Sequence, residues 1–375
     1  MGKEKNINYS FKLLYAICIF FVACGHCYGG GVNILIDWFP LYSFHLAAFM
    51  FASGYFYNPQ DVHNMKGALV KKVKHLLLPL YGYSFAYAFL TWLLRCVGFS
   101  FGKPLTPYTL FLAPLMEGYQ WGLNIGGWYL APLLFVFIIN LFLRRLLGRY
   151  LNDWAFAAFY LLLGMAGIYG AMQGFDDVVR LTLYRCAYFL PFYGLGTLYR
   201  STLERPFDRL PRIVYFGIIM VVQLGLITWC NGTKQYSQMF CNEFDSVIYP
   251  FAFGTTGILF WLGIAKVLTP VLGRSKFVLA LADNAFSIMM NQFLGFFLVR
   301  SVFALLHVLS QGVFFADFEM ARYFTEYNYN YSPRGLLQWQ LLYVLVGLWL
   351  PIFIQKWVNW IKGKGLAAVR SSTHK

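Results

Sequence analysis

Ten apolar stretches, most of them close to the length that crosses a bilayer, restrict what this chain can fold into. They run over residues 11–30, 37–58, 76–97, 127–143, 154–172, 178–199, 212–229, 247–268, 279–306 and 336–356. A helix needs about 20 residues to span a hydrocarbon core roughly 30 Å thick. Inside that core every backbone polar group must be paired, which leaves helices or a closed barrel. Barrel strands alternate in polarity over about ten residues, whereas these runs are longer and continuously apolar. The expected fold class is therefore all-α: a polytopic membrane helix bundle of about ten transmembrane helices. The fourth and fifth stretches, short or interrupted by glycine, carry the weakest signal. Residues 1–375 read as a single integral membrane domain, with a short basic tail and no soluble domain after the last span. The first stretch follows Lys3, Lys5 and Lys12 like a signal peptide, but it lacks a clear small-residue cleavage site and is read as retained.

Charge then sets the orientation. The chain carries +15 at pH 7 with only 12% charged residues and 59% hydrophobic ones, against about 25% charge in a soluble domain. A water-soluble globule is excluded, so the excess of Lys and Arg has to be placed on loops. If the N-terminus is cytoplasmic, 22 of the 30 basic residues fall on inner segments, and the positive-inside rule puts both termini in the cytoplasm. Nucleic acid is not needed as a partner to explain the charge; membrane lipids are.

Seven cysteines are present. Cys230 and Cys241 flank one outer loop and can form a disulfide in an oxidising compartment, and Asn231-Gly232-Thr233 in the same loop is a formal glycosylation sequon. Cys24, His26 and Cys27 are soft ligands, but positions 24, 26 and 27 do not share a helical face. No metal is expected.

Ionisable and polar groups inside a membrane are costly and mark candidate sites. At 1.5 Å per residue, His26 lies roughly 21 Å above Lys12, and His45 about 12 Å below the outer face. Arg185 comes roughly 10 Å below that face, and Gln292, beside Asn291, about 20 Å above the inner end of its span. Four spans thus bring polar side chains to one layer in the outer half. A neutral imidazole at His26 or His45 can accept a proton from a hydroxyl; the alternative is a histidine that only bridges helices. Arg185, with no acid nearby in sequence, is a candidate for an anionic acyl carrier or glycan, whereas Arg180 can pair with Asp176 or Asp177. Lys66, Lys71, Lys72 and Lys74 suit phosphate, or equally topology and anionic lipid. Trp121, Trp128 and Tyr129 fit an interfacial aromatic belt, and the segment from Tyr323 to Tyr331 has the composition of a carbohydrate-stacking surface.

Several of these segments, in this order, resemble acyltransferase family 3. They are Gly25-His26-Cys27, the run from Phe44-His45 to Ser53-Gly54-Tyr55-Phe56, the basic stretch from Lys71 to Pro79, Gly127-Trp128-Tyr129-Leu130, Leu190-Pro191-Phe192, and Ala282-Asp283-Asn284. The resemblance covers nearly the whole chain. It implies transfer of an acyl group, commonly acetyl, from cytoplasmic acetyl-CoA or another acyl-CoA to a hydroxyl of an extracytoplasmic glycan or glycolipid. It implies a multi-pass protein of the bacterial cytoplasmic membrane, His26 as the catalytic histidine and Ser53 within a second-span motif. Two positions depart from the pattern: Tyr15 stands where a cation is usual, and Gln292 where a histidine is usual. Donor binding would then pass to Lys12 or to Lys71, Lys72 and Lys74, with Arg144 and Arg145 as competitors, while Arg185 or Gln292 would stabilise an oxyanion. An exporter or flippase of polysaccharide or lipid is the alternative. Oligomeric state is left open.

Overall fold

The computed structural model describes residues 7–27, 37–174 and 177–372, with side chains given up to residue 361. Lys3, Lys5, Asp176 and the end of the first predicted span lie outside the described residues. The described chain is helical, without strands.

Ten helices correspond to the ten apolar stretches: α1 (Tyr9–Cys27), α2 (Leu41–Tyr55), α3 (Leu78–Cys96), α4 (Leu130–Leu147), α5 (Asp153–Met172), α6 (Val178–Leu198), α7 (Arg212–Trp229), α8 (Tyr249–Leu272), α9 (Ala285–Leu309) and α10 (Gln340–Ser372). Local signals set their starts. Asn152 caps α5 by accepting from the backbone N–H of Ala155, and Asp177 caps α6 by accepting from Val179 and Arg180. α3 continues an interfacial segment, Met65–Lys72 and Val73–Leu77, that carries the lysine cluster.

Eight of these runs are long and apolar enough to cross a membrane; α2 and α6 are not among them. α2 has 15 residues, about 22 Å at the helical rise, and α6 carries Arg180 and Arg185. The reason is their place. Both sit inside the bundle, where neighbouring helices rather than lipid surround them, so a shorter and more polar sequence is tolerated. Small residues let them approach closely. A Cβ on Gly54 of α2 would lie 1.9 Å from the Tyr193 carbonyl oxygen of α6, and one on Gly196 would lie 2.0 Å from that of Phe51.

Contacts between helix ends give an alternating arrangement. At one end of the bundle, Thr269 bonds Ser10 at 3.0 Å, Tyr55 donates to Glu204 at 2.8 Å, and Arg144 reaches both Asp153 and Thr197 at 2.9 Å. Lys266 pairs there with Glu204 and Asp208. At the other end, Asn330 bonds the His26 carbonyl and Thr182 the Met116 carbonyl. The helix flanks away from these contacts expose apolar side chains such as Ile213, Val221 and Val271 to the lipid. Cys230 and Cys241 are free thiols rather than the disulfide considered above: each turns its Sγ onto a nearby backbone carbonyl, of Gly232 and Gln238 respectively.

Candidate active site

The ends of α1, α2 and α4 that lie opposite the Lys266 cluster enclose, with the first half of α9, a cavity of about 910 Å³. α1 contributes Gly25, His26 and Cys27; α2 contributes Tyr42, His45 and Leu46; the turn into α4 contributes Trp128 and Tyr129; α9 contributes Met289, Gln292 and Phe293. Two outer segments, residues 235–240 and 327–330, form the rest of the wall together with Gln340 at the start of α10. His26, His45 and Gln292 thus line one space, although Gln292 stands only seven residues into α9, because the helix starts at Ala285 and not at residue 279 as the depth arithmetic took it.

His45 is buried, and its Nδ1 meets the carbonyl of Leu41 one turn earlier. A carbonyl only accepts, so Nδ1 carries the proton and the neutral ring keeps Nε2 as its basic atom. The ring of Tyr42 stands edge-on to it at 5.3 Å. His26 is half-buried at the cavity wall, its ring tilted against Phe293 with centroids 4.9 Å apart. Gln292 is fully buried, and neither end of its amide has a partner among the described residues. An unpaired buried amide costs about 1–3 kcal/mol.

Arg185 and Asn291 lie at the right depth but point elsewhere. Arg185 donates from Nε to the Met239 carbonyl at 2.7 Å and from Nη1 to those of Met116 and Glu117 at 3.0 and 3.1 Å. Its guanidinium covers the Trp128 ring at 5.2 Å, so it acts behind the wall. Asn291 accepts from Tyr87 at 2.9 Å. Arg180 pairs with Asp177 at 3.1 Å.

None of the candidate donor-binding residues lines the cavity. Lys12 is paired with Asp283. Tyr15 packs on Phe49 at 5.2 Å, which in turn faces Tyr129 at 6.4 Å. Ser53 is half-buried on α2 beside the Gly54 crossing. Lys71 and Lys74 are exposed, and Lys72 lies over the Phe137 ring at 4.7 Å. Among the described residues no group of three or more His, Cys, Asp and Glu is placed to hold a metal ion.

A family model described as an acyltransferase domain, that of acyltransferase family 3, matches residues 8–356. The chain belongs to this family. No curated protein and no solved structure matches it. Membership makes it a multi-pass membrane protein with a role in acyl transfer; the cavity described above is lined by two histidines, side chains able to take and return a proton.

The residues that sequence reasoning missed are Gln238, Asn330 and Gln340, which line the same cavity. Only the composition of the 323–331 segment hinted at any of them. Trp128 and Tyr129, read as belt residues, are cavity wall.

Proposed function

We propose that this protein transfers an acyl group, acetyl in the simplest case, from acyl-CoA arriving at the cytoplasmic face to a hydroxyl of an extracytoplasmic glycan or glycolipid, in a bacterial cytoplasmic membrane with both termini inside. The observation that carries the reading is the convergence of His26, His45 and Gln292 from three helices on one cavity walled by the outer segments.

In this reading His26 takes the proton of the acceptor hydroxyl as its oxygen attacks the thioester carbonyl. The tetrahedral oxyanion receives a hydrogen bond from the Gln292 amide. The carbon–sulfur bond then breaks, His26 returns the proton to the departing thiolate, and the ester and free CoA remain. His45, with Nδ1 held by its own helix, presents Nε2 to the same space and orients the acceptor. Arg185 positions Trp128, the 235–240 segment and the chain at Met116 and Glu117. The donor's phosphates stay at the inner face near Lys71, Lys72 and Lys74, while Lys12 is already engaged by Asp283. Tyr15, Phe49 and Tyr129 line the thioester's way in.

The test is transfer of radiolabelled acetyl from acetyl-CoA to surface glycans by membranes containing wild type or His26→Ala. The variant is expected to lose roughly 10²–10⁴-fold in rate at unchanged abundance, with acetyl-CoA binding retained. Full activity of a well-expressed His26→Ala removes the assignment. Loss of glycan export, with glycan acetylation intact, in a deletion strain would replace transfer by export.

A further inference from the structure

Five tyrosines line the cavity: Tyr42, Tyr129, Tyr236, Tyr327 and Tyr329. Three of their hydroxyls are engaged. Tyr129 donates to the Leu46 carbonyl at 3.2 Å, Tyr236 donates to Asp245 at 3.3 Å, and Tyr329 accepts from the Glu319 N–H at 3.0 Å. The hydroxyls of Tyr42 and Tyr327 have no hydrogen-bond partner among the described residues, yet neither is one of the buried atoms that lack one. Both residues are half-buried, and each hydroxyl keeps accessible surface.

Place separates the two. Tyr327 belongs to the outer segment, its ring 6.0 Å from that of Phe293. Tyr42 lies in the first turn of α2, against both histidine-bearing helices. Its ring meets the His45 ring edge-on at 5.3 Å, and its hydroxyl packs on Gly25, the residue before His26. A Cβ on Gly25 would lie 3.0 Å from that oxygen, and 3.1 Å from both the Tyr42 Cζ and the Leu41 Cδ1. Any side chain at position 25 would therefore press the phenol away from α1. The Tyr42 main chain is held too, its carbonyl accepting from Gln238 Nε2 at 2.5 Å.

Chemistry narrows what such a hydroxyl can do. A phenol donates one hydrogen bond and adds no charge, whereas the thiol of Cys27 in the same wall is a weak donor. Attack on a thioester moves an electron pair onto the carbonyl oxygen, and a donor fixed in place before that charge develops stabilises it without reorganising.

We propose that Tyr42 is a catalytic residue of the acyl transfer, its hydroxyl donating to the thioester carbonyl oxygen as the tetrahedral intermediate forms, with Gly25 setting its place. The proposal rests on the acyl-transfer reading above and adds a donor from α2 to the Gln292 amide of α9. No proton leaves the phenol. The acceptor's proton goes to His26 as the new carbon–oxygen bond forms, and the carbonyl pair moves onto the oxygen that Tyr42 holds. That pair returns as the carbon–sulfur bond breaks, and His26 gives the proton to the departing thiolate.

Tyr42→Phe removes the hydroxyl and keeps the ring that touches His45. Membranes containing each full-length variant are assayed for transfer of radiolabelled acetyl to surface glycans over a series of acetyl-CoA concentrations, with abundance and thermal melting measured alongside. Tyr42→Phe is expected to lower kcat roughly 10²–10³-fold, the effect of removing one oxyanion donor, with KM for acetyl-CoA within about threefold of wild type. Gly25→Ala, which displaces the hydroxyl, should lower kcat about tenfold alone but less than about twofold in the Tyr42→Phe background, where no hydroxyl is left to misplace. Should Tyr42→Phe fail to fold, the kcat of Gly25→Ala carries the test. Near-wild-type kcat in either folded variant, or a loss confined to KM, overturns the proposal, and additive losses in the double variant overturn the placement by Gly25. A fully active Tyr42→Phe beside an inactive His26→Ala would sink this proposal and leave the transfer reading standing; absence of transfer by wild-type membranes would sink both.

Discussion

Arg300 offers a direct way to ask whether the outer segment that forms part of the cavity wall is held in place by a single side chain. It lies on α9 and is fully buried, and its Nη1 donates to the carbonyls of Glu326, Tyr327 and Tyr329 at 2.9, 2.7 and 3.2 Å. The guanidinium rests over Phe297 at 5.0 Å and Phe101 at 5.5 Å. Arg300→Met keeps most of the stem and removes all three bonds. Hydrogen bonds from a charged donor contribute about 1.5–3 kcal/mol each, but removing a buried cation recovers part of its desolvation cost. A net loss of about 3 kcal/mol of segment anchoring is the reasonable estimate, from one orphaned carbonyl at full cost and two that find water.

At 1.4 kcal/mol per tenfold, that is about a 150-fold rise in the population of the opened segment. Hydrogen exchange of the 323–331 amides in nanodiscs reads it. Exchange there should speed up by roughly two orders of magnitude, while α1 and α2 are unchanged. The opening should appear as a raised acceptor KM with acyl-CoA binding intact, because Arg300 does not line the cavity. Arg300→Lys keeps the charge but not the planar fork and should fall between. Unchanged exchange in Arg300→Met would refute the anchoring argument, and uniformly faster exchange would mean that the bundle itself depends on this residue.

Gly54→Ala should destabilise the protein by about 2–3 kcal/mol, since overpacking a rigid helix crossing costs that much, whereas Gly217→Ala on α7, with nothing within 4 Å of the new methyl, should be neutral or stabilising by up to about 1 kcal/mol; thermal melting in detergent compares them. Asp317 is held below the ordinary carboxylate range first by the Tyr331 hydroxyl and then by the Arg334 N–H, and Glu326 by the Arg322 guanidinium. Their contribution to the outer segment is complete above the unfolded carboxylate range and is lost as pH falls through the lowered values, so the protection of the 317–334 amides, referred to intrinsic exchange at each pH, should be flat from neutrality to about pH 5 and fall below about pH 4.

What the sequence made legible follows from what one dimension can encode. Apolar run length gave the helices, because lipid imposes it on each span separately. It underplayed the special status of α2 and α6, because being wrapped by other helices rather than by lipid is decided by packing, for which Gly54 and Gly196 are the faint signal. Depth is also linear in residue number, and so His26, His45 and Gln292 could be placed in one layer. Azimuth is not: Arg185 and Asn291 share that layer and face loop carbonyls and Tyr87 instead. Gln238, Asn330 and Gln340 were invisible because they reach the cavity through segments whose course is set by long-range contacts, including those of Arg185 and Arg300.

The two buried arginines follow one pattern. Of the eight basic residues outside the inner set, Lys103, Arg180, Lys234 and Arg322 are in ion pairs with acids on the same side. Arg95, Arg185 and Arg300 donate to backbone carbonyls, and the eighth, Arg334, is exposed. On the inner segments Lys12 and Lys266 are in ion pairs too, whereas Lys66, Lys71 and Lys74 are exposed. The polyanionic acyl-CoA proposed above as donor would be attracted to these exposed lysines by charge, a pull that salt would screen over about 8–10 Å.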